Sequence, residues 1–142
     1  MSPAGGSDQG PGEADPIRVL IVDDEVSYAQ LLAKRMTLRG VAATAVNSGR
    51  EAVQTLRGKT FDAALLDLKM ESMDGIETLK MFRVIDPRMK VIILTGHGGE
   101  AEARQCIKLG AFDYLVKPCE LETILSRIGK AAKAARAEHE AD

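Results

Sequence analysis

From Ile17 onward the chain alternates five times between a short apolar run and a stretch of helical periodicity, and that alternation leaves few folds open. Val19-Leu20-Ile21-Val22, Ala63-Ala64-Leu65-Leu66, Val91-Ile92-Ile93-Leu94 and Tyr114-Leu115-Val116 are continuous apolar runs, as expected of strands covered on both faces. Val41–Val46 is weaker and suits an edge strand. A fivefold βα alternation implies an α/β architecture, a doubly wound five-stranded parallel sheet with helices on both faces and right-handed crossovers.

The helical stretches carry their own punctuation. Helix one is expected at about Val26–Leu38, with Val26, Ala29, Leu32, Ala33 and Met36 on one face and Gly40 just past its end. Helix two starts at Ser48, where Glu51 three residues on completes a capping-box pattern. Helix three runs from about Gly75 to Ile85, buries Ile76, Leu79 and Phe82, and stops before Pro87. Helix four covers about Gly99–Leu109 with Ala103, Cys106 and Ile107 inward and Gly110 as its stop. Helix five starts near Glu120 and buries Leu121, Ile124, Leu125 and Ile128. Its Ala/Lys/Arg continuation to about Ala137 shows no core face and is expected to fray into solvent. The expected division is therefore a disordered arm over residues 1–16, a folded domain over 17–131 and a helical or polar tail over 132–142.

Composition narrows the partners. The 142 residues suit one domain with a real core, and the 45% hydrophobic and 28% charged content is that of a soluble globular chain. A net charge of −2 gives no footprint for nucleic acid or an anionic membrane. No apolar stretch approaches the roughly 18–20 residues of a membrane helix, and no basic-then-apolar leader opens the sequence. Cys106 and Cys119 form no metal pattern and read as free thiols in a reducing cytosol, so a cytoplasmic location is expected. Met70, Met73, Met81 and Met89 read as packing.

Four of the five apolar runs lead into polar residues suited to phosphoryl transfer. The first meets Asp23-Asp24, the third Asp67, the fourth Thr95 and the fifth Lys117-Pro118. In a parallel sheet these groups collect along one rim, and ligands of such sheets sit outside the carboxyl ends of the strands. Each residue alone has a plainer reading. Asp23-Asp24 would cap helix one, Thr95 would be a turn residue, Lys117 a surface lysine, Tyr114 a strand residue and His97 an exposed loop residue. A strand-end lysine followed by Pro118 further suggests a fixed peptide bond, with cis as the isomer to look for.

Taken together, IVDDE (Ile21–Glu25), ALLDLKMESMDG (Ala64–Gly75), VIILTGHG (Val91–Gly98) and KLGAFDYLVKP (Lys108–Pro118) resemble the receiver (CheY-like) domain of two-component response regulators. The likeness covers about Ile17–Ala131. It implies a flavodoxin-like (βα)5 fold with strand order 2-1-3-4-5. Such receivers are among the cases from which the strand-end rule was drawn, so that agreement adds no independent weight. The resemblance implies Asp67 as phosphoacceptor and Mg2+ (or Mn2+) held by Asp23, Asp24, Asp67 and the Lys69 backbone carbonyl. It also implies Thr95 as switch hydroxyl, Lys117 as phosphoryl-binding lysine and Tyr114 as mobile aromatic. Gly96 would leave the phosphorus open, and Lys69 and His97 flank it. Glu71 departs from the family by standing where proline is common.

The chemistry that follows is attack of Asp67 on phosphorus to give an acyl phosphate, with little for the protein to do beyond positioning and electrostatics. Three carboxylates about 5 Å apart repel by roughly 3 kcal/mol per pair at an effective dielectric near 20, a strain that a divalent cation relieves. Asp24 and Asp67 suit direct ligation, Asp23 a metal-bound water. The implied partners are a sensor histidine kinase or histidine phosphotransfer protein and an unknown downstream effector, with a possible homodimer through helix four, strand five and helix five. The chain could also be a receiver fragment of a longer transcriptional regulator. A magnesium-dependent aspartyl-phosphate phosphohydrolase would need its nucleophile after strand one with a second acid two residues on, which Asp23 and Glu25 imitate poorly. A flavin module of similar topology would want a Ser/Thr/Gly loop there, and two aspartates would repel the flavin phosphate. A regulatory phosphoacceptor rather than a turnover enzyme is the expectation.

Overall fold

The computed structural model describes residues 15–70, 74–96 and 98–141, with side chains to residue 138. The elements alternate as expected: β1 (Arg18–Val22), α1 (Val26–Leu38), β2 (Ala42–Val46), α2 (Gly49–Gly58), β3 (Ala63–Leu66), α3 (Gly75–Ile85), β4 (Lys90–Thr95), α4 (Glu100–Lys108), β5 (Asp113–Val116) and α5 (Leu121–Ala141). The strands form one parallel sheet in the order β2-β1-β3-β4-β5. The weak second run is indeed an edge.

Alternation along each strand splits the core into two layers. Leu20, Val22, Ala64, Leu66, Val91 and Ile93 face α2, α3 and α4 through Ala52, Leu79, Phe82 and Cys106. Val19, Ile21, Ala63, Leu65, Ile92 and Leu94 face α1 and α5 through Ala29, Leu32, Met36, Ile124 and Ile128. Register brings the strand ends level: Val22 lies beside Leu66, Leu66 beside Ile93, and Thr95 beside Val116. Gly40 and Gly110 stop α1 and α4 at φ of 89° and 104°, a region in which a Cβ would be strained.

Three expectations need correction. Val26 is 47% exposed rather than core, because the first turn of α1 overhangs the strand ends and has no sheet beneath it. Ile107 is 49% exposed. It sits about 100° around α4 from the buried Cys106, and only one of the two can face the sheet.

The continuation of α5 does not fray. Ala131, Ala132 and Ala135 are buried, extending the Ile124–Ile128 face at helical spacing. Small side chains let this end of the helix lie close to the sheet. Arg136 then reaches Asp62, donating from Nε to Oδ1 and from Nη2 to Oδ2, both at 3.1 Å. The same Nη2 donates to the carbonyls of Asp15 and Pro16, and Lys90 pairs with Glu138. Most of the expected N-terminal arm lies outside the described residues.

Candidate functional site

Each strand delivers its polar residue to the same rim. Asp23 follows β1 and extends the sheet by one bond, its N–H donating to the Val46 carbonyl at 3.2 Å. Its carbonyl accepts from Asn47 Nδ2 at 3.0 Å and its Oδ1 from the Glu25 N–H at 2.9 Å, which fixes the loop into α1. Asp67 does the same after β3, donating its N–H to the Val22 carbonyl at 3.0 Å. The Lys69 N–H donates to Asp67 Oδ1 at 3.3 Å. Gly75, the first residue of α3, lies so close to this loop that a Cβ there would stand 2.3 Å from Leu68 Cα and 2.8 Å from the Asp67 carbonyl oxygen. A glycine is required at that approach.

One carboxylate oxygen from each of Asp23, Asp24 and Asp67 lies within 4.8 Å of the other two. The Lys117 ammonium lies against two of these residues and a further acid, 2.6 Å from Asp23 Oδ2, 3.5 Å from Glu25 Oε1 and 3.7 Å from Asp67 Oδ2. Its backbone N–H donates to the Thr95 carbonyl at 2.8 Å, and the Lys117–Pro118 peptide is cis. The Asp67 side chain keeps 8% of its exposure, recessed but not sealed, and Asp24 is half-buried. Burial pushes the Asp23 carboxyl above the usual carboxylate range, and hydrogen bonds from Lys117 and the Glu25 backbone only partly offset it. Burial pulls on the Lys117 amine in the other direction. The bond to Asp23 and the charges of Asp23 and Asp67 together outweigh it and leave the amine above its ordinary value. Both directions hold together: the amine is secured as ammonium by more than one acid, while Asp23 remains the most deeply desolvated of them.

This arrangement is a charged rim rather than an enclosed cavity. A groove of about 580 Å³ lies at the other end of the sheet, lined by residues that include Arg18, Leu56, Arg57, Lys59, Thr60 and Phe61. None of the three aspartates borders it.

Residues 19–129 match the family described as the response regulator receiver domain. The chain belongs to that family. The receiver domain is 36% identical over 117 residues to the transcriptional regulatory protein ZraR of Escherichia coli O157:H7, covering 82% of this chain and 26% of that protein. It thus spans about a quarter of the length of the curated relatives it matches. Among solved structures, the signal receiver domain of a putative LuxO repressor protein from Vibrio parahaemolyticus superposes with a TM-score of 0.83 at 30% identity, covering 89% of this chain and 98% of that one. A response regulator protein from Burkholderia pseudomallei, solved with a phosphorylated aspartic acid, calcium ion and citrate, gives 0.76 at 29% identity over 86% of this chain and 72% of that one.

Of the residues expected at the receiver site, Asp23, Asp24, Asp67 and Lys117 meet in space. Thr95 ends the neighbouring strand and is fully buried, while Gly96 is exposed with open space at its Cβ position. Lys69 is exposed. Pro118 holds the cis bond at the edge of the site. Tyr114 lies away from the acids. It is half-buried on β5, its hydroxyl donates to Glu102 Oε1 at 3.3 Å, and it covers Gly98, where a Cβ would stand 2.5 Å from the hydroxyl oxygen. Burial and the neighbouring Glu102 carboxylate push its phenol up to about 12. His97 and Glu71 lie outside the described residues.

Two residues at the rim escape the sequence reading. Glu25 is the third acid around Lys117, and Tyr28 presents its ring to the same ammonium at 4.3 Å from the centroid. Both sit in the Asp23-to-Tyr28 turn into α1. No local signal marked Tyr28: Asp24 lies outside α1, which begins at Val26, so helical spacing does not tie the two together.

Proposed function

We propose that this receiver domain takes a phosphoryl group on Asp67 from the phosphohistidine of a sensor kinase or phosphotransfer protein, and that the acyl phosphate shifts the α4-β5-α5 face to control a partner. The observation that carries the reading is the meeting of Asp23, Asp24 and Asp67 within 4.8 Å, with the Lys117 ammonium 2.6 Å from Asp23 and 3.7 Å from Asp67. An all-carboxylate donor set suits a hard divalent cation, with Asp24, Asp67 and the Lys69 carbonyl as ligands and Asp23 reaching it through water. When bound, Mg2+ (or Mn2+) would supply the positive charge that lets the Asp67 carboxylate approach an anionic phosphoryl group. The Burkholderia relative, with its phosphorylated aspartate and calcium ion, supports both parts of this assignment.

In the transfer, an Asp67 carboxylate oxygen forms the bond to phosphorus. The P–N bond of the donor breaks, and its electron pair returns to the imidazole nitrogen. Lys117, 3.7 Å from Asp67 Oδ2, is placed to take up charge on a phosphoryl oxygen. The Thr95 hydroxyl then moves inward to bond the phosphoryl group, and Tyr114 leaves Glu102 for the space that Thr95 vacates, a shift between two populated states. The role is regulatory rather than turnover. As nucleophile of a phosphohydrolase, Asp23 would be poor, since it is 3% exposed and bonded to Lys117 at 2.6 Å.

The test is incubation with acetyl phosphate and Mg2+, followed by intact mass. One phosphoryl group is expected on the wild type, none on Asp67→Asn, and none on the wild type in EDTA. Equal labelling of Asp67→Asn would reject the nucleophile, and uptake unchanged by EDTA would remove the metal.

A further inference from the structure

The Lys117 side chain crosses a crowded rim, and its backbone anchors do not by themselves decide where the ammonium goes. Residue 117 is fixed at the end of β5 by the bond to the Thr95 carbonyl and by the cis Pro118 peptide. Beyond Cα, four methylenes turn freely. Three carboxylates compete for the ammonium, and the shortest contact, 2.6 Å, belongs to Asp23 rather than to Asp67. Glu25 is the most dangerous competitor, because its side chain is 68% exposed and could draw the amine out toward water.

The Tyr28 ring lies against this ammonium at 4.3 Å, well inside the roughly 6 Å over which a cation is held by an aromatic face. The ring is itself fixed: Tyr28 belongs to α1 and packs against the layer formed by α1, α5 and the sheet. A carboxylate holds an ammonium at a point. A π face attracts it over an area, so the amine can move across the ring without returning to water. Such a surface suits a lysine that must be bonded to Asp23 in the resting domain and then follow charge toward Asp67.

We propose that Tyr28 is a positioning residue for phosphoryl transfer: its ring holds the Lys117 ammonium over the acidic cluster and guides it between Asp23 and the phosphoryl group on Asp67. The proposal rests on Asp67 as phosphoacceptor, but its geometric half can be read without phosphorylation.

That half is tested by NMR on the unmodified protein. The Lys117 ε-methylene protons should be shifted upfield of those of the other lysines by the ring current, and Tyr28→Leu should remove the shift while Tyr28→Phe keeps it. An unshifted Lys117 in the wild type would overturn the proposal whether or not any variant folds. The functional half is the rate of Asp67 phosphorylation by acetyl phosphate at saturating Mg2+. Tyr28→Leu should be about threefold to tenfold slower and Tyr28→Phe within about twofold of wild type, since the ring and not the hydroxyl carries the effect. In a Lys117→Ala background, adding Tyr28→Leu should cause no further slowing. Equal rates for Tyr28→Leu and wild type, a matching loss in Tyr28→Phe, or a Tyr28→Leu defect that survives in Lys117→Ala would each overturn it. Absence of labelling in the wild type would instead count against Asp67 and leave the ring-current result to decide the Tyr28–Lys117 contact.

Discussion

Arg136 and Asp62, separated by 74 residues, form a two-bonded ion pair at the rim of the sheet opposite the acids, with both partners buried. Asp62 also accepts the Arg18 N–H at 2.8 Å, so Oδ2 takes two hydrogen bonds and Oδ1 one. Removing one partner leaves a buried charge without compensation. Arg136→Leu or Asp62→Asn should cost roughly 3–5 kcal/mol, a fall in melting temperature on the order of 10 °C. The paired change Asp62→Leu with Arg136→Leu should recover a large part of that loss. A single variant melting with the wild type would show that the pair adds nothing.

Gly75 touches the loop that carries Asp67, and Gly75→Ala tests the contact. The added Cβ meets backbone atoms of Leu68 and Asp67, which cannot turn aside as a side chain could. A destabilisation of about 1–3 kcal/mol is expected. Displacement of the Asp67 loop should also slow phosphorylation by roughly tenfold, because small misplacements of a reacting group are costly. Chemical denaturation and a single-turnover rate measure the two effects separately.

Repulsion among Asp23, Asp24 and Asp67 should be visible in the metal-free protein. Asp24→Asn removes one of the three charges and should raise stability without metal by about 1 kcal/mol, the Coulombic figure being reduced because Asp24 is half-exposed. The wild type should gain melting temperature on titration with Mg2+, whereas Asp24→Asn should respond weakly or not at all. Thermal melts in EDTA and in millimolar Mg2+ check both halves.

Tyr114 should ionise unusually late. Its phenol is pushed up to about 12, above the ordinary tyrosine value, so the folded state favours the protonated ring. The associated stability is fully present below the unfolded value near pH 10 and is lost as pH climbs toward 12. An absorbance titration at alkaline pH should show, beside the transition of Tyr28, which burial also pushes up, a tyrosine transition at about 12 that is lost in Tyr114→Phe. In Glu102→Gln it should move to lower pH, because the neighbouring negative charge is gone.

Thr95→Ala should separate chemistry from signalling. Labelling of Asp67 by acetyl phosphate should stay within about threefold of wild type, since the hydroxyl is proposed to act on the product. Any phosphorylation-dependent association through α4, β5 and α5 should weaken, as read by light scattering with and without acetyl phosphate. Loss of labelling itself would move Thr95 into the transfer step.

The sheet was legible because its strands are continuous apolar runs, and the acids were legible because they follow those runs directly. What escaped depends on contacts between distant elements. Glu51 does accept a backbone N–H at the start of α2, but from Asn47 at 2.7 Å, while Ser48 Oγ accepts from Glu51 N–H; the pattern announced a cap and not the partner. Alanines at 131, 132 and 135 look featureless in a helix-forming stretch, and their burial follows only from the surface of the sheet they lie on. Arg136 read as one more solvated cation until Asp62 stood opposite it. Tyr28 was hidden for the same reason: its partner is 89 residues away, and no local spacing relates the two.

The bonds from Arg136 to the Asp15 and Pro16 carbonyls bind the first described residues to the last turns of α5. Incoming and outgoing chain are thereby moored together at the base of the strands, while Asp67 looks out from their tips. Neither of these moored segments crosses the acidic mouth, which stays open at the far end of the sheet.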